Sequence, residues 1–378
     1  MKKLIFTIVF LTIPFLTYPQ NVNVTDYEVA VSKAKVLRFN GSWDWSQSGT
    51  TVNSNNANGT LLFKTFYSSL PTAWFIDVAA SGGKVFDDYN HNVRLNTSFR
   101  KYVWDEEKVF AVSELSMSHL NTYRQLESNL KVGFGYGRYI NATALAKAVR
   151  IEGHLIKDNV ISAPLSKETM IAIANIIERE DEYKGIYEAT YETYWLDDIT
   201  EEIKKSGAIS GEGLESIGVL RMRQVLFNIN ERVNPRYYGW DVSTGIRFPM
   251  STRDKSPVGN PMFSLAAEYS YPISWNMQVN SNAKIDSPLD SAFFNQYEMV
   301  LTLDFIFELS NRINFVTTYE LVGHKPYNVS IEYNHNLSSS FWYYIENNIY
   351  FTVSAGYKKQ GANPKVLSTN VGLQYNLF

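Results

Sequence analysis

The chain has 378 residues, a formal net charge of −3 at pH 7 and no cysteine. This composition excludes a general nucleic-acid binder, a disulfide framework and a thiolate metal site. Aromatic residues make up 15% of the chain, which favours a protein in contact with lipid–water interfaces over an ordinary soluble domain.

The first twenty residues are typical of a cleaved secretory signal peptide. Lys2 and Lys3 precede an apolar run from Leu4 to Leu16, which is short for a membrane-spanning helix. We expect cleavage near Gln20, and an uncleaved anchor helix is the alternative. In the rest of the sequence no run approaches the roughly 20 apolar residues of a spanning helix, so a membrane would have to be crossed as a barrel.

Alternating apolar and polar residues dominate both ends of the chain. In the segment 36–46, the side chains of Leu37, Phe39, Trp43 and Trp45 alternate with polar ones. The segments 92–104, 275–285 and 297–308 alternate in the same way. Strands of this length with one apolar and one wet face predict an all-β transmembrane antiparallel barrel. A soluble sandwich would have shorter strands, with a turn about every 8 to 12 residues.

An internal repeat predicts the number of strands. The segments YPISWNMQV, FELSNRINF and YYIENNIYF share a pattern that centres on Ile273, Leu309 and Ile345, and these residues are 36 positions apart. Each segment predicts a tight turn between two strands, with chance similarity as the alternative. Further turns near residues 70, 106 and 141 keep the same step. We therefore expect about 14 strands, strands 1–6 within residues 33–141 and strands 7–14 within 235–378, with both termini on one side.

The end of the chain resembles the closing strand of Gram-negative outer-membrane β-barrel proteins. In STNVGLQYNLF, Val371, Leu373 and Tyr375 alternate up to the terminal Phe378. The family commonly ends on an aromatic residue that the barrel-assembly machinery reads, although Phe378 is out of phase with Tyr375 here. The resemblance implies an outer-membrane location, outer-membrane lipid and the assembly machinery as partners, and Tyr375 with Phe378 as the assembly signal. The Asn- and Tyr-rich composition is similar to that of Bacteroidota barrels.

Residues 142–234 follow a helical period instead. Asn141 and Ser166 are candidate helix caps, and Tyr187, Tyr191, Trp195, Ile199 and Ile203 form a stripe with a four-residue step. A last segment places Leu214, Ile217, Leu220, Val225 and Ile229 on one face. We expect a compact α-helical domain inserted between strands 6 and 7. Because tight turns of bacterial barrels face the periplasm, we expect the insert on the periplasmic side.

Charged residues on the polar side of the strands are the candidate lumen lining. They are Arg38, Arg94, Arg100, Lys131, Arg247, Glu268, Glu298, Asp304, Glu320 and Glu332. Basic residues concentrate on the first seven strands and acidic residues on the later ones. This distribution predicts a transverse field across an open lumen, and the alternative is that the charges pair within a plugged lumen.

The sequence favours a pore or substrate channel with a polar, charge-segregated lumen. The alternative is a membrane anchor that presents residues 142–234 to peptidoglycan or to a periplasmic protein partner, with the stripe Tyr187, Tyr191 and Trp195 as contact surface or simply as core. Catalytic motifs of the common hydrolase and nucleotide-binding types are missing from the sequence. We expect no enzyme activity, no catalytic residues, no metal, no cofactor and no nucleic-acid partner.

Overall fold

The computed structural model describes residues 21–104, 107–211, 213–346 and 349–375. The expected signal peptide, residues 1–20, and the terminal Phe378 lie outside the described residues, so both stay predictions. Within the described ranges the chain is mostly β, and its α-helices all lie between the sixth and seventh strands.

Fourteen antiparallel strands form one sheet in chain order. Each inner strand pairs with the strand before it and the strand after it, which confirms the expected number of strands. The strands are β1 (Ser32–Ser48), β2 (Thr51–Ser68), β3 (Thr72–Val85), β4 (Asp88–Tyr102), β5 (Val109–Leu120), β6 (Glu127–Asn141), β7 (Tyr237–Ser251), β8 (Met262–Ser274), β9 (Met277–Pro288), β10 (Tyr297–Ser310), β11 (Ile313–Lys325), β12 (Glu332–Glu346), β13 (Ile349–Gln360) and β14 (Val366–Tyr375).

The three centres of the sequence repeat coincide with β-bulges. The register skips Ile273 beside the β8–β9 turn, Leu309 beside the β10–β11 turn and Ile345 beside the β12–β13 turn. In the first two turns a serine hydroxyl accepts the backbone N–H two residues later, from Asn276 to Ser274 at 3.2 Å and from Arg312 to Ser310 at 3.3 Å. The repeat therefore encodes a bulged tight turn.

Five helices form the insert between β6 and β7. They are α1 (Thr143–Lys157), α2 (Lys167–Glu178), α3 (Glu180–Tyr187), α4 (Tyr191–Lys205) and α5 (Glu215–Leu226). The Ser166 hydroxyl accepts the Thr169 N–H at 3.2 Å, so the predicted cap of α2 is made. Helix α1 starts one residue later than predicted, with Ala142 at its N-cap, and the Asn141 carboxamide accepts the Thr143 N–H at 3.0 Å from the position before the cap. Among the described helices, none is long and apolar enough to cross a membrane.

The insert departs from its predicted pattern at two places. Glu188 has a φ of +47°, which ends α3, and the expected stripe therefore stops at this break. Trp195 is fully buried, whereas Tyr187 is partly exposed and stacks on Tyr194 with ring centroids 4.0 Å apart.

The buried face of α5 is also rotated from the predicted face. Its buried residues are Gly218, Met222, Val225 and Leu226. Leu214 and Val225 of the predicted face are buried, while Ile217 and Leu220 are exposed. Gly218 belongs to the closely packed side of α5, since a Cβ there would lie 3.1 Å from the Leu214 side chain and 3.3 Å from that of Val160.

The main hydrophobic core lies in the insert and at the tight-turn end of the sheet. Val22, Val24 and Tyr27 of the N-terminal segment join the insert core, and Leu70 and Trp275 from two tight turns pack against it. The Trp275 indole N–H also donates to the carbonyl oxygen of Val22 at 3.2 Å. The insert therefore packs directly against the tight-turn end of the sheet.

Helix α3 covers the edge of β1 that β2 leaves unpaired. The Glu182 carboxylate lies near the Lys33 backbone, and a Cβ on Gly185 would lie 3.6 Å from the carbonyl oxygen of Lys35. At Lys33 and Lys35 the helix occupies the edge that a neighbouring strand would otherwise pair with, so closure through β1 would have to use the part of the strand beyond these residues. In the described part of the chain no ladder joins β14 to β1, so closure of the sheet into a barrel is a proposal.

Candidate functional site: the charged face of the sheet

The ladder registers place all ten candidate residues on one face of the sheet, called here the charged face. Residues directly opposite each other on neighbouring strands point to the same face. One row of such pairs leads from Arg100 on β4 to Glu298 on β10 and Glu332 on β12. The row is Arg100, Val112, Gly133, Gly245, Ser264, Asp286, Glu298, His324 and Glu332.

Equivalent rows contain the other candidates. Arg38 is opposite Leu62, which is opposite Ala79, which is opposite Arg94. Lys131 is opposite Arg247. Glu268 lies on the row of Asn282, Thr302 and Glu320, and Asp304 lies opposite Asn280.

The charged face is concave between β3 and β9. The Arg100 guanidinium on β4 reaches the Asp241 carboxylate on β7 at 3.0 Å, although β5 and β6 lie between them. Likewise the Tyr139 hydroxyl on β6 lies 2.8 Å from the Ser270 hydroxyl on β8. A polar cavity of about 380 Å³ lies in this concavity, lined by side chains from β3 through β9, including Asp77, Glu114, Lys131, Arg247, Lys284 and Asp286.

Glycines on the charged face of β6 make room for large neighbours. Gly133, Gly135 and Gly137 lie on this face, and a Cβ on Gly135 would lie 2.3 Å from the Phe110 ring. Phe110 is fully buried on the charged face, with the Arg100 guanidinium 4.5 Å from its ring centroid. The rule that apolar residues all point away from the charged face is therefore wrong at Phe110, because a ring fills the space that the glycines leave.

Several charges on this face form local ion pairs. Lys131 lies 3.1 Å from Glu114 on the neighbouring strand, and Asp286 lies 2.8 Å from Lys284 and 3.7 Å from Arg247. Sequence reasoning missed Asp286, although its alternation with Lys284 places it on the polar side of β9. Three of the predicted basic residues, Arg100, Lys131 and Arg247, therefore have carboxylate partners.

The structure does not bring the remaining candidates together. Glu298 lies 3.3 Å from the His324 ring, and Asp304 accepts the Thr318 hydroxyl at 2.6 Å. Among the described residues no ion pair involves Arg38, Arg94, Glu320 or Glu332. These four are spread along β1, β4, β11 and β12, so the ten residues line a long surface rather than one compact site.

A buried ionic cluster joins the insert to the charged face at the tight-turn end. Glu308 of β10, only 1% exposed, accepts from Arg150 of α1 at 2.5 Å, from Arg236 at 2.9 Å and from the Asn234 side chain at 2.8 Å. Arg150 also bridges to Glu231 at 3.2 Å. A carboxylate between two guanidiniums satisfies charges that would be costly to bury alone. The insert therefore covers part of this end of the charged face.

Sequence reasoning missed this ionic cluster. Arg150 and Glu308 are 158 positions apart, and no local pattern announces a pairing over that distance. The alternation along β10 could have predicted part of it. Glu308 follows the apolar Phe307, so its side chain points to the charged face.

The opposite face of the sheet, called here the apolar face, carries large exposed hydrophobic side chains. Phe39 and Trp43 are 72% exposed and Leu373 is 69% exposed. In the described strands the charged side chains on this face lie near strand ends and are all basic: Lys33, Lys35, Lys84, Lys101, Arg138, Lys325 and Lys359. The middle of the apolar face is therefore without charge over the described strands.

The described residues contain no group of three or more His, Asp or Glu side chains that could hold a metal ion. Comparison with known proteins gives little further information. No protein-family model matches the chain, and no curated protein matches it. One similar solved structure is described as a "CymD monoaromatic hydrocarbon channel"; it is 12% identical over 93% of this chain and 90% of that chain, with a TM-score of 0.27. Similarity at that TM-score carries no argument about function.

Proposed function

We propose that the sheet closes into a barrel across a bacterial outer membrane and that its charged face lines a channel. The observation that carries the proposal is the division of the fourteen strands into a charged face, concave between β3 and β9, and an apolar face without mid-strand charge over the described strands. Water-soluble proteins rarely expose an apolar surface that large. An apolar band outside and a polar interior are the pattern of outer-membrane barrels.

The basic residues at the ends of the apolar face support a membrane around the sheet. The Lys84 ammonium lies 5.3 Å from the Tyr89 ring centroid, and that of Lys325 lies 6.0 Å from the Tyr297 ring centroid. Aromatic rings and long basic side chains are the usual anchors at the two interfaces of a bilayer. These basic residues lie near strand ends, so the uncharged middle of each strand can contact the hydrocarbon region of the bilayer.

The channel is polar, and the insert narrows it at the tight-turn end. The ion pairs of Arg100, Lys131 and Arg247 support the hypothesis that many charges neutralise each other locally. A transverse field then depends on the six candidates that have no ion pair in the described chain: Arg38 and Arg94 on one wall, and Glu268, Asp304, Glu320 and Glu332 on the other. We place the insert in the periplasm, because it is connected to the sheet at the end that carries the tight turns.

Conductance of the purified protein in a planar bilayer tests the channel. We expect discrete conductance steps with a preference for cations over anions that falls in Glu320→Gln/Glu332→Gln. The matched control is Glu201→Gln/Glu202→Gln on α4, away from the charged face, which keeps the wild-type preference. Protein that inserts but shows no conductance above background would reject the open channel.

The alternative is a membrane anchor that presents the insert to peptidoglycan or a periplasmic protein. The observation in its favour is the exposed apolar face of α5, where Leu220 is 50% exposed and Ile217 is 37% exposed. Leu220→Gln/Ile217→Gln should then abolish retention of the protein by a peptidoglycan or envelope fraction without changing conductance. Unchanged retention in this variant would remove the alternative.

A further inference from the structure

A second cavity, called here the junction cavity, lies between the insert and the tight turn of β10 and β11. Its volume is about 570 Å³. Its walls come from α1, α5, the segment 229–231, the turn 310–313 and one residue of β12. The ionic cluster at Glu308 does not use most of these residues, so the cavity needs its own explanation.

The junction cavity has an excess of positive charge. Lys157, Arg221 and Arg312 line it, and Glu231 is its carboxylate. Glu231 is already bridged by Arg150 at 3.2 Å. Arg221 is offset by Asp158 at 2.6 Å, while Lys157 and Arg312 have no carboxylate partner within ion-pair distance in the described part of the chain.

Neutral hydrogen-bonding groups complete the polar part of the wall. Asn230, Asn311, Ser310 and Gln224 line the cavity beside the cations. Within this polar wall, the two cations that lack a carboxylate partner in the described part of the chain suit the oxygens of a phosphate group.

One wall of the junction cavity belongs to the apolar face. Ile313 and Tyr343 line it, are directly opposite each other in the β11–β12 ladder, and lie on the face that carries the exposed hydrophobic side chains. The cavity is therefore basic where it meets the insert and apolar where it meets the outside of the sheet. An amphipathic molecule matches this division better than a small inorganic anion.

We propose that the junction cavity binds the headgroup of an anionic phospholipid from the periplasmic leaflet. Lys157 and Arg312 contact the phosphate, and the acyl chains lie along Ile313 and Tyr343. Basic pockets beside membrane-spanning elements are known to hold acidic headgroups. The inference rests on the proposed membrane-spanning barrel, since only then does the tight-turn end lie at headgroup depth. A bound lipid would tie the insert to the rim of the sheet.

The test compares lipid retention in matched variants. Purified protein is reconstituted in phosphatidylcholine bilayers with and without phosphatidylglycerol, and the bound lipid is counted by native mass spectrometry. We expect wild type to retain phosphatidylglycerol and Lys157→Gln/Arg312→Gln to bind it about tenfold more weakly or worse, a loss of about 1.4 kcal/mol or more. Lys204→Gln/Lys205→Gln on α4 removes the same charge elsewhere and should retain the lipid.

Further arms separate the possible failures. Equal retention by Lys157→Gln/Arg312→Gln and wild type would overturn the inference. Displacement of the lipid by inorganic phosphate alone would assign the cavity to a free anion and also overturn it. Ile313→Gln leaves the cations in place and should weaken retention if acyl chains contact that wall. Protein that does not insert into either bilayer would contradict the proposed barrel itself, a result distinct from insertion without selective retention.

Discussion

At the scale of single residues, glycines determine how closely neighbouring strands and side chains pack, and buried charges determine how the insert contacts the sheet. Sequence alternation places Gly133, Gly135 and Gly137 on the polar side of β6, but it leaves open whether they keep a passage wide or admit a neighbour. The structure shows a neighbour at Gly135, the Phe110 ring. Alternation with Glu114 places Phe110 on the polar side of β5, but its apolar side chain assigned it to lipid, and no local pattern pairs it with Gly135.

Gly135→Ala should destabilise the sheet. The added Cβ would lie 2.3 Å from the Phe110 ring and 2.7 Å from the Val242 carbonyl oxygen. We expect the free energy of unfolding to fall by about 1–3 kcal/mol, as for other overpacked sites, measured by urea unfolding in lipid vesicles. Gly59→Ala on β2, whose Cβ would meet nothing closer than 3.9 Å, is the control. Adding Phe110→Leu to Gly135→Ala should recover part of the lost free energy of unfolding. If the effects of the two substitutions simply add in the double variant, the contact between these residues would be excluded.

Glu308→Gln should loosen the insert from the sheet. The substitution keeps the shape of the side chain but leaves Arg150 and Arg236 with less negative charge inside a buried site. We expect the free energy of unfolding to fall by about 3–5 kcal/mol. We also expect faster proteolysis within residues 142–234, measured by limited digestion. Glu201→Gln, whose carboxylate is exposed on α4, should change neither quantity. Wild-type protease resistance in Glu308→Gln would show that the cluster does not hold the insert.

At the scale of elements, short-range patterns predicted the turns well and the helices less well. The repeat around Ile273, Leu309 and Ile345 predicts tight turns, and the structure adds that each centre is a bulge. Ser166 caps α2 as expected, whereas Asn141 lies one residue before the N-cap of α1. The stripe through Tyr187 and Trp195 is interrupted because the left-handed Glu188 redirects the chain, a conformation that no propensity favours for glutamate.

The insert should become more stable as pH falls from about 7 towards 5. Burial is the main reason that the pKa of Glu178 is raised to about 7, with the charge of Asp181 adding to it and Lys147 opposing it. A carboxyl group whose pKa is higher in the folded state destabilises that state when ionised, above pH 7. Protonation then relieves this cost as pH falls from 7 towards the unfolded value of 4.5.

Glu178→Gln tests this pH dependence. The variant should be more stable than wild type at pH 8, and the difference should shrink by pH 5, measured by thermal unfolding of the reconstituted protein. Glu202→Gln on α4 is the control and should not remove the slope. An identical pH dependence in wild type and Glu178→Gln would contradict the assignment.

At the scale of the whole molecule, the sheet was predictable and the packing of the insert was not. Side chains of a strand alternate between its two faces, so the sequence determines which residues share a face. The ten charged candidates therefore lie on one face once the strands are aligned. The contacts of Arg150 with Glu308 and of Glu182 with the edge of β1 join distant segments, and sequence spacing carries no information on such pairs. The insert is consequently part of the rim of the proposed barrel rather than a separate module.

The central claim, that the charged face meets water and the apolar face meets lipid, is tested most directly on β10. The chain contains no cysteine, so single cysteines can be placed at Leu301, Thr302 and Leu303, of which Thr302 belongs to the charged face. In protein reconstituted in vesicles, a water-soluble maleimide should label Thr302→Cys and spare Leu301→Cys and Leu303→Cys, while all three label after denaturation. Equal labelling of the three in the folded protein would contradict the account.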